Sequence, residues 1–192
     1  MTTLAVFASG HGSNLQRFIE ETRAPGDEAR LALVVSDQPG CRAAALARQA
    51  GIPVFAFDPS AYPDKAAFER GILRELRAHD VRWIALAGYM RLIGPTLLEP
   101  FRERILNVHP SLLPDFPGKD AIGQALDAGA RMTGVTIHYV DEGMDTGTPI
   151  AQARIAIADD DTLESLSERI HTVEHRLYPA VALNLIRETK IP

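Results

Sequence analysis

An asparagine and a histidine two residues apart stand in the run Asn107-Val108-His109-Pro110-Ser111-Leu112-Leu113-Pro114, and a carboxylate, Asp145, follows in a Gly-rich loop. The apolar stretch Ile105–Val108 reads as a buried strand that breaks into a turn at Pro110. Strand side chains alternate between faces, so Asn107 and His109 project the same way, about 7 Å apart along the backbone. Strand ends are also where open α/β sheets bind their ligands. An amide donor, an imidazole and a carboxylate in one cleft suit chemistry in which an oxyanion forms and a proton moves. A lone histidine at a strand end is more often a satisfied structural residue. Asn107 and Asp145 reverse that preference here.

A second chemical signal lies near the N-terminus, where Gly10-His11-Gly12-Ser13-Asn14 follows an apolar strand and opens a helical pattern. Glycines permit the tight turn, and the helix start then offers free N–H groups to an anion. Ser13 adds a hydroxyl donor. Two other readings stand beside this one: a plain strand-to-helix turn capped by Ser13 or Asn14, and a dinucleotide site. The dinucleotide reading has G-x-G and an acid, Asp37, after the second strand, but Leu15 or Gln16 occupies the third glycine position.

The elements that must position these residues follow from periodicity. β-like runs lie at Thr3–Ala8, Leu31–Ser36, Pro53–Phe57, Trp83–Ala87 and Ile105–Val108. Helical patterns fill Asn14–Thr22, Arg42–Ala50 and Asp64–His79. Strands alternating with helices predict an α/β fold with a mostly parallel, Rossmann-like central sheet flanked by helices. In the C-terminal half, Gly134–Val140 and Ile150–Ile157 predict an antiparallel strand pair. A last helix is expected to start with Asp161 as N-cap and Glu164 as its capping-box partner, and Pro179 to kink or divide it.

The chain of 192 residues fits one domain over 1–192. Residues 1–105 are expected to form a phosphate- and nucleotide-binding-like half, and 106–192 the half that carries the catalytic candidates. A hydrophobic content of 46% with a net charge of −5 argues against a nucleic-acid or membrane-surface binder. One cysteine, Cys41, excludes an internal disulfide and fits a cytoplasmic protein. The apolar residues 1–8 carry no basic segment and read as a strand, not a signal peptide. A homodimer is compatible with the sequence, which locates no surface for it.

The Asn107–Pro114 motif, together with Ser9-Gly10-His11-Gly12-Ser13-Asn14, resembles the folate-dependent formyltransferases, and the similarity extends to Leu177-Tyr178-Pro179. The resemblance implies a purine-biosynthetic transferase, with 10-formyltetrahydrofolate as co-substrate, phosphoribosylglycinamide as amine acceptor, and no metal. It makes Asn107, His109 and Asp145 the catalytic set. The phosphoribosyl substrate would meet Gly12, Ser13, Asn14, Gly118, His171, Thr172, Val173 and Glu174. The folate would meet Lys65, Met90, Arg91, Leu92, Ile93, Asn107, Asp141, Glu142, Gly143, Met144 and Asp145. By residue type alone, Met90, Leu92 and Ile93 also suit ordinary core, Asp141–Thr148 an acidic surface loop, and Lys65 and Glu174 solvated helix charges. The sequence departs from the family at His11, where asparagine is frequent, and at Asp120 and Ile122, where histidines are usual.

His171-Thr172-Val173-Glu174-His175 also matches H-x-x-E-H, a zinc-peptidase pattern. Its histidines share a helix face, but a third ligand would have to come from Glu188 or elsewhere in the fold.

Overall fold

The computed structural model describes residues 2–23 and 28–189, so Met1 of the expected first strand lies outside the described residues. Seven strands form one sheet: β1 (Thr2–Phe7), β2 (Ala29–Ser36), β3 (Val54–Ala56), β4 (Trp83–Leu86), β5 (Ile105–His109), β6 (Met132–Tyr139) and β7 (Pro149–Ala156). Their order is β3-β2-β1-β4-β5-β6-β7. β1 to β5 are parallel, and β6 alone runs against its neighbours, antiparallel to both β5 and β7. The fold is therefore α/β, mostly parallel, with the antiparallel pair in the C-terminal half.

Among the described residues, α1 (Ser13–Glu21), α2 (Arg42–Gln49), α3 (Lys65–Ala78), α4 (Pro95–Leu98) and α5 (Ala121–Asp127) lie between strands, and α6 (Leu163–Glu188) follows β7. The parallel strands are buried on both faces, so their residues are apolar almost without alternation. Leu4, Val6, Leu106 and Ile137 pack on one side against Leu15 and Phe18 of α1 and Tyr178 and Leu183 of α6. Ala5, Phe7, Leu33, Ile84 and Ile105 pack on the other against Phe68, Ile72 and Leu76 of α3. A third cluster beneath α6 holds Ile122, Val135, Ile155, Leu166 and Ile170.

The last helix differs from the expectation at its start. Its N-cap is Thr162, whose side chain accepts from the Ser165 N–H while the Ser165 hydroxyl accepts from the Thr162 N–H. Asp161 instead turns back on the preceding loop: it accepts the Ala158 N–H at 2.7 Å and pairs with Arg169. Nor does Pro179 divide the helix, which continues to Glu188. A mid-helix proline costs about 3 kcal/mol in a lost hydrogen bond and a clash. Burial of Tyr178, Pro179, Ala182, Leu183 and Ile186 against the sheet offsets it. The Tyr178 hydroxyl also donates to the Leu106 carbonyl at 3.0 Å, fastening the helix to the strand that carries the motif.

Strand order reverses between β1 and β4, which lie side by side while β2 continues one way and β5 the other. The crevice beyond the carboxyl ends of such strands is the natural ligand position. Three loops converge there: Ala8–Gly12 after β1, Ala87–Gly94 after β4, and the proline-rich turn after β5.

Candidate active site

β5 presents Ile105, Asn107 and His109 on one face and Leu106 and Val108 on the other, as strand alternation requires. The turn after His109 is held by its neighbours. Thr136 Oγ1 donates to the Ser111 carbonyl at 2.7 Å and accepts the Leu113 N–H at 3.0 Å, while Gln152 Nε2 donates to the Leu113 carbonyl at 2.9 Å. Two side chains from β6 and β7 thus fix the Pro110–Pro114 segment.

Asp145 closes the cluster. Its backbone is left-handed at φ 56°, and its Oδ2 accepts the Gly118 N–H at 2.8 Å. The same oxygen lies 3.4 Å from His109 Nδ1, and Oδ1 lies 3.6 Å from Nε2 of His138. Burial alone would raise this carboxyl, but the His138 imidazole, the Gly118 N–H and His109 outweigh it and hold Asp145 below the usual value. The carboxylate is charged throughout the neutral range.

His138 is the residue that sequence reasoning missed. It pairs with Asn107 across the β5–β6 ladder, so the two side chains share a face. Its Nε2 is 3.2 Å from Asn107 Nδ2, and its Nδ1 is 2.8 Å from the Tyr139 carbonyl. A carbonyl accepts only, so Nδ1 carries a proton, and Nε2 stands between the Asn107 amide and the Asp145 carboxylate. That arrangement fixes the Asn107 side chain and leaves its second N–H free. The signal was present in the sequence: a strand over 134–140 puts Thr136 and His138 on one face, and antiparallel pairing with β5 brings them to Asn107 and His109.

His109 faces two acceptors. Nε2 is 2.8 Å from the Phe116 carbonyl, and Nδ1 looks at the Asp145 carboxylate. With one N–H the ring serves one of them; with two it serves both.

Asn107, His109, His138 and Asp145 border a cleft of about 380 Å³ whose other walls are Met90–Ile93, Gly118 and the loop at Asp141, Gly143 and Met144. Met90, Leu92 and Met144 are exposed apolar side chains on its rim. Lys65 lies in an adjoining cleft that shares Met90, Arg91 and Leu92. Glu142 faces elsewhere, in a separate hollow with Arg102 and Tyr139. Asp120 lines the cleft as the N-cap of α5, whereas Ile122 is buried in the third core cluster; neither brings an imidazole.

At the N-terminal loop Gly12 has φ 77°, and a Cβ there would come within 2.9 Å of the Ala43 backbone and side chain. Only glycine fits, on both counts. α1 has no side-chain cap, so its first N–H groups are available to an anion. Asn14 sits beneath them, donating from Nδ2 to Glu174 Oε2 at 3.4 Å, with its own Oδ1 buried and unpartnered. Burial pushes the Glu174 carboxyl up to about 7, with Asn14 acting in the opposite sense. Of the α6 residues, Glu174 turns to Asn14, Val173 packs into core, and His171 and Thr172 are exposed, Thr172 bonding the Glu168 carbonyl.

His171 and His175 stack with ring centroids 6.4 Å apart, and no group of three His, Cys, Asp or Glu side chains suited to a metal occurs among the described residues. Asp37 is buried, with one oxygen on the Ser9 hydroxyl and the other on Arg91. At 3% exposure it is covered from a ribose, which removes the acid that a dinucleotide site needs.

Residues 2–182 match the model of the formyl transferase family. Phosphoribosylglycinamide formyltransferase of Bacillus subtilis (strain 168) is 52% identical over 186 residues, covering 97% of this chain and 95% of that protein. The trifunctional purine biosynthetic protein adenosine-3 of Drosophila melanogaster is 41% identical over 190 residues, which are 98% of this chain and 14% of that protein. The crystal structure of glycinamide ribonucleotide transformylase 1 from Geobacillus kaustophilus superimposes with a TM-score of 0.93 at 56% identity, covering 97% of this chain and 99% of that one. With its motif strand, glycine loop and seven-stranded sheet all inside the matched region, the chain belongs to the formyl transferase family.

Proposed function

We propose that this chain transfers the formyl group of 10-formyltetrahydrofolate to the amino group of phosphoribosylglycinamide; its relative from Bacillus subtilis is named a phosphoribosylglycinamide formyltransferase. The observation that carries the reading is the meeting of Asn107, His109, His138 and Asp145 in one cleft with an apolar wall.

The substrate's phosphate sits on the free N–H groups after Gly12, with Ser13 and Asn14, and its ribose hydroxyls donate to Glu174. The pterin lies between Met90–Ile93 and Asp141–Asp145, its polar edge on backbone groups. The glycinamide amine attacks the formyl carbon, a C–N bond forms, and the formyl oxygen takes up negative charge. The free N–H of Asn107 donates to that oxygen, preorganised by His138. His109, flanked by the Asp145 carboxylate, mediates passage of the proton from the attacking amine to N10 of the folate. The C–N10 bond then breaks, giving formylated acceptor and tetrahydrofolate.

Both substrates are small soluble anions, and no helix among the described residues is long and apolar enough to cross a membrane. We place the reaction in the cytoplasm, where the single thiol of Cys41 stays reduced. The experiment is product identification: mass spectrometry should find the formyl group on the acceptor amine. Formate released without any formylated acceptor would favour hydrolysis instead.

A further inference from the structure

The wall Met90–Ile93 has no regular secondary structure, yet it must hold an apolar ring. Its fixation comes from buried polar groups. Asp37, at the end of β2 and only 3% exposed, accepts the Ser9 hydroxyl on Oδ1 at 2.5 Å and Arg91 Nε on Oδ2 at 2.7 Å. Ser9 Oγ in turn accepts the Met90 N–H at 3.1 Å, and the Ser9 N–H donates to the Gly88 carbonyl at 3.1 Å. The Arg91 guanidinium lies over the Phe68 ring, 5.8 Å from its centroid. At the far end of the loop a second buried carboxylate, Glu69, accepts the Gly94 N–H at 2.7 Å.

We infer that Asp37 is a positioning residue for the formyl-folate: by holding Arg91 and Ser9 together it sets the Met90–Ile93 wall. The inference rests on the reaction proposed above. Asp37 reaches neither substrate, since its side chain is covered. Its effect passes through Arg91 and through the Met90 amide. Ser9 also begins the glycine loop, so the same latch joins the folate wall to the start of the phosphate site. A buried carboxylate bonded to both a guanidinium and a hydroxyl is a strong, directional constraint, and removing its charge leaves Arg91 without its partner.

The test is a comparison of Asp37→Asn, Ser9→Ala and Arg91→Ala with the wild type, each checked by circular dichroism. Folate affinity is read twice: as KM for 10-formyltetrahydrofolate in transfer, and as Kd for tetrahydrofolate by fluorescence titration. Asp37→Asn should raise both by about 10- to 100-fold, the size of a lost charge-assisted bond, while kcat at saturation changes by less than about threefold. Ser9→Ala should raise them by about two- to tenfold. On the Arg91→Ala background, Asp37→Asn should add less than about threefold, because the two act as one unit. Folded Asp37→Asn with unchanged KM and Kd for folate overturns the latch, as does a loss confined to kcat. If the wild type binds tetrahydrofolate but transfers nothing, the reaction is wrong and the Kd comparison alone decides the latch.

Discussion

His138 stands directly opposite Asn107 in the β5–β6 ladder, with its Nε2 3.2 Å from the Asn107 amide nitrogen. With its Nδ1 committed to the Tyr139 carbonyl, the ring turns Nε2 toward the Asn107 amide and holds it in place. His138→Ala should therefore lower kcat by about 10- to 100-fold, part of what loss of a preorganised oxyanion donor costs, with KM for either substrate changed little. Steady-state kinetics check this; a fall in kcat no larger than twofold would sink it.

Asp145 carries a charge between two imidazoles and has a depressed carboxyl. A carboxylate with a folded value below its unfolded one contributes stability present above the unfolded value, 3.8, and lost as pH falls through the folded value. Asp145→Asn should consequently unfold at lower urea than the wild type at neutral pH. The gap should close in acid, below 3.8. A gap that widens in acid would contradict the assignment.

Glu174 works in the opposite sense. Its folded value, about 7, lies above the reference 4.5, so its contribution to stability is fully present below 4.5 and is lost as pH rises through about 7. Ribose hydroxyls bind the ionised form better, so KM for phosphoribosylglycinamide should fall as pH rises through the same window. In Glu174→Gln that part of the pH dependence should vanish. Because titration of the substrate itself is common to both enzymes, the ratio of their KM values isolates Glu174.

Gly12→Ala forces a left-handed backbone on a residue with a Cβ and drives that Cβ to 2.9 Å from Ala43. We expect a destabilisation of about 2 kcal/mol and a raised KM for the phosphoribosyl substrate, with KM for folate nearly unchanged. Thermal unfolding and kinetics read the two effects separately.

Much of this was legible in the residue order. The five parallel strands announce themselves because strands buried on both faces are continuous apolar runs bounded by turn residues, as Trp83–Leu86 and Ile105–His109 are. Asn107 and His109 were legible as residue types at a strand end, and Asp145 as a carboxylate in a Gly-rich loop. His138 was not, because its role depends on which strand pairs with β5 and in what register, a tertiary fact. The start of α6 was misread by one residue, since Asp161 and Thr162 are both good caps and only the turn at Ala158 decides between them. The short helices α4 and α5 are too brief to impose a period.

The central claim is that Asn107 and His109 carry formyl transfer between the two substrates. It is tested most directly by measuring tetrahydrofolate release with and without phosphoribosylglycinamide, in the wild type, Asn107→Ala and His109→Ala. The account predicts release that requires the amine acceptor and falls by about a hundredfold or more in each variant. Release that ignores the acceptor, or survives either substitution at near wild-type rate, would contradict it.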